Sequence, residues 1–195
     1  MTRFKSFVIA AIITVWATSL LGQTAKPANL FRVDYDGSYT IWLVQERGHV
    51  LVDVLTSTAG WAEIDAGPIF TIGGLSIYPL VGIDFNNSPV IVGSFIPQLY
   101  LFYRNDRIDL GSWFQFFLNR SGNSFYFRDY VTVSGIVPLV SVGPQFEGTL
   151  TSDAQEVLVG GRLKYDIKLG EFVGFIGGNP KDGSSIFRLT YLVPF

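Results

Sequence analysis

His49 is the single histidine of the chain, and cysteine is absent. Any nucleophile–base–orienter set therefore has one imidazole to build on. His49 follows the turn signal Arg47-Gly48, no Gly-x-Ser-x-Gly elbow occurs, and no His/Cys cluster offers metal ligands. The reading is a turn histidine in a chain that is not an enzyme and needs no cofactor or metal. Glu63, Asp65 and Asp84 could hold a hard cation such as Ca²⁺, but no carbonyl-rich loop accompanies them, so they read as a carboxylate patch. The other residues able to do chemistry are Asp109, Glu147, Glu156 and Asp166 against Arg128, Arg162, Lys164 and Arg188. Gln115, Asn119, Tyr126, Tyr130 and Gln145 add uncharged donors and acceptors.

The elements that must position these groups are strands. Val157, Val159, Gly161, Leu163, Tyr165 and Ile167 alternate with Leu158, Gly160, Arg162, Lys164 and Asp166. Only a strand sorts side chains with period two. The same sorting recurs around 108–118, 140–150 and 187–195, and no 3.6-residue period is found beyond the first segment. Turn signals fall at 36–37, 47–48, 57–60, 73–74, 86–89, 104–107, 121–123, 138, 151–154, 169–170 and 177–184. They divide the chain into about 12 strands, with 10 as an alternative.

One hairpin can be registered residue by residue. Folding about Gly73-Gly74 pairs Ile72 with Leu75, Phe70 with Ile77, Ala66 with Val81 and Ile64 with Ile83, all apolar. The interleaved pairs, Glu63/Asp84 among them, carry every charge. A one-residue slip would mix the faces. Folding about Asp36-Gly37 gives a less clean expectation, Asp34 opposite Tyr39 and Arg32 opposite Ile41. Pro68, Pro79, Pro97 and Pro144 lack the N–H that a central strand needs and predict local bulges or bends in strands that otherwise continue.

Composition sets the wider frame. Of 195 residues, 48% are hydrophobic and 15% charged, with 17 Phe and 21 Gly. The charged share lies well below the roughly 25% of ordinary soluble domains. Disorder, a disulfide scaffold and nucleic-acid binding are excluded by the apolar content, the missing Cys and the net charge of −2. Arg3 and Lys5 precede an apolar run from Phe7 to Trp16, with small residues to Gly22. This predicts a signal peptide over 1–25, cleaved between 22 and 25, and a single domain over 26–195.

Two architectures fit: a soluble sandwich or barrel with the apolar face inward, and a transmembrane barrel with that face outward. Strands of 11–13 residues and aromatics near strand ends favour the second. The last strand carries Phe187, Leu189, Tyr191, Val193 and Phe195 on one face. It resembles the C-terminal insertion signal of bacterial outer-membrane β-barrel proteins of the porin-like kind; Pro194 departs from that pattern. The resemblance implies an all-β, antiparallel up-and-down transmembrane β-barrel in the bacterial outer membrane. It implies outer-membrane lipids and the barrel-assembly machinery as partners, and termini on the periplasmic side.

The polar face then lines a lumen, and Glu63, Asp65, Asp84, Asp109, Arg128, Glu147, Arg162, Lys164, Asp166 and Arg188 are its lumen and selectivity candidates. A narrow channel for ions or small polar solutes is the first expectation. The alternatives are a non-conducting structural barrel plugged by its own salt bridges, a soluble secreted β-barrel and an outer-membrane lipid-modifying enzyme. The Glu63–Asp84 pair, toward the expected outer mouth, predicts a modest cation preference, with Arg128 or Arg188 as counter-charges.

Overall fold

A chain that alternates polar and apolar residues can bury either face, and here the buried face is the polar one. The computed structural model describes residues 29–87, 90–119 and 122–194. The expected signal peptide and Phe195 lie outside the described residues. The strands are β1 (Asn29–Tyr35), β2 (Tyr39–Arg47), β3 (Val50–Ser57), β4 (Trp61–Pro68), β5 (Phe70–Ile72), β6 (Leu75–Asn87), β7 (Val90–Arg104), β8 (Ile108–Phe117), β9 (Ser124–Val137), β10 (Val140–Thr151), β11 (Gln155–Ile167), β12 (Gly170–Gly178) and β13 (Ser185–Pro194). Sequence neighbours pair antiparallel, and β13 returns to β1 with Phe31 opposite Val193. β4 and β5 both pair with β6, as two pieces of one stave. The sheet thus closes into an up-and-down barrel of twelve staves.

Side-chain polarity runs opposite to that of a soluble protein. Val52, Val81, Val133, Val142, Val159, Leu163 and Leu189 are exposed on the outer wall. Asp53, Glu63, Asp65, Thr132, Gln145 and Glu147, inside the barrel, are each 2% exposed or less. Water would drive the apolar set inward. Hydrocarbon accepts it outside, and closure leaves no unpaired strand edge to lipid. Aromatic rings flank this outer belt. Phe85, Phe95, Phe116 and Phe125 lie toward one end, and Phe70, Tyr165, Phe172 and Tyr191 toward the end that holds the termini. Phe116 meets Phe125 at 4.5 Å and Phe172 stacks on Tyr191 at 4.6 Å. These are the features of a membrane-spanning barrel, and they remove the soluble alternative.

The hairpin about Gly73-Gly74 has the expected register on both sides of a gap at 67–69, from Trp61 opposite Asn86 to Ala66 opposite Val81 and from Phe70 opposite Ile77 to Ile72 opposite Leu75. The first hairpin corrects its expectation by one residue. Tyr35 faces Tyr39 and Arg32 faces Trp42, across a turn over residues 36–38. This register keeps Val33 and Ile41 together outside and sets the Arg32 guanidinium 5.0 Å from the Trp42 ring centre inside. Prolines interrupt the ladders as their missing N–H requires. β4 ends at Pro68, with Pro79 across from the gap. β7 and β8 pair regularly only from Gln98 onward, just past Pro97, and the β9–β10 ladder skips Gly143 and Pro144. The β9–β10 turn places Leu139 at φ 64°, a left-handed position that normally selects glycine.

Candidate functional site

Inward-facing residues of β2, β3, β6 and β7 break the polar rule and fill part of the lumen. Trp42, Val44, Leu51, Leu55, Tyr78, Leu80 and Tyr100 form one buried cluster, with Phe102 and Trp113 packed on it. Its central contact crosses the barrel. Trp42 on β2 stacks on Trp113 of β8 with ring centres 5.0 Å apart and planes at 28°. Tyr100 stands edge-on to both, at 6.0 Å and 5.2 Å. Arg32 covers the Trp42 ring at 5.0 Å and Arg128 lies 5.3 Å from the Trp113 ring centre. The bridge is therefore two stacked indoles between two guanidinium groups.

Arginines gather on the wall made by β9, β11, β13 and β1. Glu147 holds two of them, Arg128 at 2.9 Å and Arg188 at 2.6 Å. Arg32 pairs with Asp34 at 2.8 Å, and Asp34 also accepts from the Thr190 hydroxyl. Arg162 differs. It stacks on Tyr130 at 3.9 Å and donates to Gln145 Oε1 at 3.1 Å, but among the described residues no carboxylate pairs with it and its Nε has no acceptor.

The opposing wall, β3, β4 and β6, is acidic. Asp53 faces Asp65, and Glu63 faces Asp84, directly across their strand pairs. Amides rather than cations serve Glu63 and Asp65, whereas both Asp53 oxygens are buried without a partner among the described residues. Gln98 and Gln115 each donate to Glu63 Oε1 at 2.7 Å, Gln98 also donates to Asp65, and Tyr100 donates to Gln98 Oε1 at 2.6 Å. Asp84 accepts from the Ser94 amide. None of the four forms an ion pair among the described residues. The expected counter-charges, Arg128 and Arg188, are engaged by Glu147 instead. They line one cavity with Glu63 and Asp84, but Glu147 on β10, next to β9, takes both guanidinium groups. Positive and negative side chains thus face one another across the interior.

A second bridge spans the end that holds the termini. Arg104 of β7 reaches Asp109 at 2.7 Å and, five staves away on β12, Glu171 at 3.1 Å. Lys164 joins Asp109 at 3.3 Å, Asp166 at 3.6 Å and Glu171 at 3.8 Å. A cavity of about 620 Å³ is lined by residues of this bridge and by Trp42, Tyr100 and Trp113. Another of about 500 Å³ opens toward the opposite end, lined by Asp36, Glu63, Asp84 and Arg188 among others. Both are lined by Trp113 and Arg128.

The ten lumen candidates do not form one site. Asp109, Lys164 and Asp166 belong to the terminal bridge, Arg128, Glu147 and Arg188 to one triad, and Glu63, Asp65 and Asp84 to the acidic wall. Arg162 rests on Tyr130 and reaches the triad only through Gln145, which donates to Glu147 at 3.1 Å. Glu156 is exposed at the rim. Phe187 and Leu189 are exposed on the outer wall, where Tyr191 and Val193 continue the same face. His49 is exposed beside its turn, and its carbonyl accepts from the Ile69 amide at 2.8 Å. Sequence reasoning missed Trp42, Trp113, Tyr100, Arg32, Asp53, Arg104 and Glu171. A signal existed for Asp53, a lone charge in the apolar run Val50 to Leu55.

An antiparallel twelve-stave barrel with an apolar outer belt and a charged interior has the architecture of a transmembrane β-barrel. No family model and no curated protein sequence matches the chain. Solved structures do. The KdgM porin in complex with disordered oligogalacturonate superposes with a TM-score of 0.61 at 13% identity, over 86% of this chain and 99% of the porin. The KdgM porin by itself gives 0.59 at 12%, and the NanC porin 0.56 at 12%, each with the same coverage. At such identities the likeness is one of fold.

Proposed function

We infer that the protein is a narrow porin-like channel of the bacterial outer membrane, passing ions or small polar solutes. The observation that carries this reading is the inside of the barrel. It holds two cavities in succession, lined by acidic, basic, amide and aromatic side chains, which gives the lumen both the space and the polar groups a small-solute passage needs. The likeness to the KdgM porin, solved with an oligogalacturonate, supports small polar solutes as the cargo class. Residues 1–25 serve as the leader that is removed on export, and the face from Phe187 to Phe195 is the signal read by the assembly machinery. Glu63, Asp65 and Asp84 give the mouth away from the termini a modest cation preference, because three carboxylates served only by neutral donors draw cations from solution.

A second reading rests on a specific observation. The Trp42–Trp113 stack and the Arg104–Glu171 pair both cross the lumen, as they would in a plugged structural barrel. Planar-bilayer recording on refolded protein separates the two. Steady single-channel steps support the channel. A barrel that is folded by its heat-shifted gel mobility, yet silent, overturns it.

A further inference from the structure

The cavity between the two bridges has the features of a binding chamber. At about 620 Å³ it falls in the range of small-molecule sites. One side is apolar and flat-faced: Trp42, Tyr78, Tyr100, Phe102 and Trp113 line it. Its charged lining consists of Arg32, Arg104, Arg128 and Arg162 against Glu46, Asp109 and Glu171. Arg32, Arg104 and Arg128 are each held by a carboxylate. Arg162 is not. Its guanidinium is fixed by Tyr130 beneath it and by Gln145 at one Nη, which leaves Nε–H buried without an acceptor. The Trp113 Nε1–H is likewise buried without one. Buried donors are nearly always satisfied, and a charged one left open is costly. Arg162 is thus the one guanidinium on this lining with no carboxylate partner among the described residues, which leaves the charge balance of the chamber open to one monoanion. Asp109, Glu171 and Glu46 on the same lining repel a second.

We propose that this chamber binds a small monoanion with a flat apolar body, of the aromatic carboxylate class. Arg162 receives the carboxylate and the aromatic wall holds the ring. The inference rests on the channel reading only for how the ligand arrives; the chamber itself is a property of the folded barrel.

The test is calorimetry on the detergent-solubilised full barrel, with 2-naphthoate as the probe. Its neutral isostere 2-naphthamide and the ring-free anion acetate are controls. The expected result is saturable 2-naphthoate binding at least tenfold tighter than either control, weakened tenfold or more in Arg162→Gln. Equal affinity for 2-naphthoate and 2-naphthamide removes Arg162 from the proposal and overturns it. So does acetate binding as tightly as 2-naphthoate. These comparisons use the wild-type protein and stand even where Arg162→Gln fails to fold. Parallel bilayer recording keeps the two readings apart. Binding by a silent barrel upholds the chamber and ends the channel. A conducting barrel that ignores 2-naphthoate does the reverse.

Discussion

Trp42 and Trp113 stack at 5.0 Å although their strands, β2 and β8, stand five staves apart around a twelve-stave barrel. The contact therefore joins opposite walls. Both indole Nε1 atoms are buried with no acceptor at hydrogen-bonding distance among the described residues. The stack rests on ring contact and on Arg32 and Arg128 at its two outer faces.

Removing one ring should widen the passage at little cost to the shell. Trp113→Ala loses the stack and the edge contact with Tyr100, each of the order of 0.5–1.5 kcal/mol beyond area burial. The barrel should still fold, because closure depends on backbone ladders. Single-channel conductance is expected to rise relative to wild type. Unchanged conductance in the folded variant would show that the passage is narrowed elsewhere.

Glu147 carries the arginine wall. Glu147→Gln leaves Arg128 and Arg188 without their shared carboxylate in a buried setting, a loss of about 3–5 kcal/mol. Asp166→Asn removes a partly exposed carboxylate 3.6 Å from Lys164 and should cost less than ~1 kcal/mol. Urea titration of the two variants in the same lipid measures the contrast, and similar midpoints would contradict it.

The acidic mouth is checked by reversal potential in a salt gradient. Glu63→Gln combined with Asp84→Asn removes the facing pair and should lower the cation preference. A double variant with wild-type selectivity would take these residues out of the filter.

The loop between β12 and β13 offers a pH-dependent feature outside the membrane. Ser184, through its hydroxyl and then its amide at 2.8 Å, holds the Asp182 carboxyl below its ordinary range. A depressed native value means that the loop contact is fully present above the unfolded aspartate value of about 3.9 and is lost as pH falls through the lower native value. The carboxyl carbon of Asp182, followed by NMR, should titrate with a midpoint below ~3.9. A midpoint at or above that value would mean the contact does not form.

The twelve staves and the Gly73-Gly74 register were legible because each strand there separates charges from apolar residues cleanly. β2 and β3 were not. Trp42, Val44, Leu51 and Leu55 face inward beside the outward Leu43, Val52 and Val54, so both faces read as apolar and the alternation vanishes. The first hairpin suffers similarly. Tyr35 and Tyr39 both look like strand-end aromatics; the three-residue turn comes from the β1–β2 ladder that pairs them and from the Asp36 amide donating to the Ser38 carbonyl at 3.2 Å. Partners across the lumen leave no trace in a local pattern. Arg104 and Glu171 are 67 positions apart, and no periodicity links them.

The outer wall predicts its own mutational cost. Val159→Arg or Leu163→Arg places a charge on the exposed apolar belt and should destabilise by ~2–4 kcal/mol near the bilayer midplane, whereas Arg162→Val, between them, faces the lumen. Equal losses for all three in vesicle-based unfolding would contradict the assigned facing.

The central claim is that the apolar face meets lipid and the polar face an enclosed lumen. Spin labels at 159, 162 and 163 of the vesicle-inserted barrel test it most directly, read by collision with oxygen, which concentrates in lipid, and with a water-soluble nickel chelate. The expected result is high oxygen access and low chelate access at 159 and 163, with oxygen access falling sharply at 162. Low oxygen access at both 159 and 163 would mean that the apolar face packs against protein, and the inside-out barrel would be wrong.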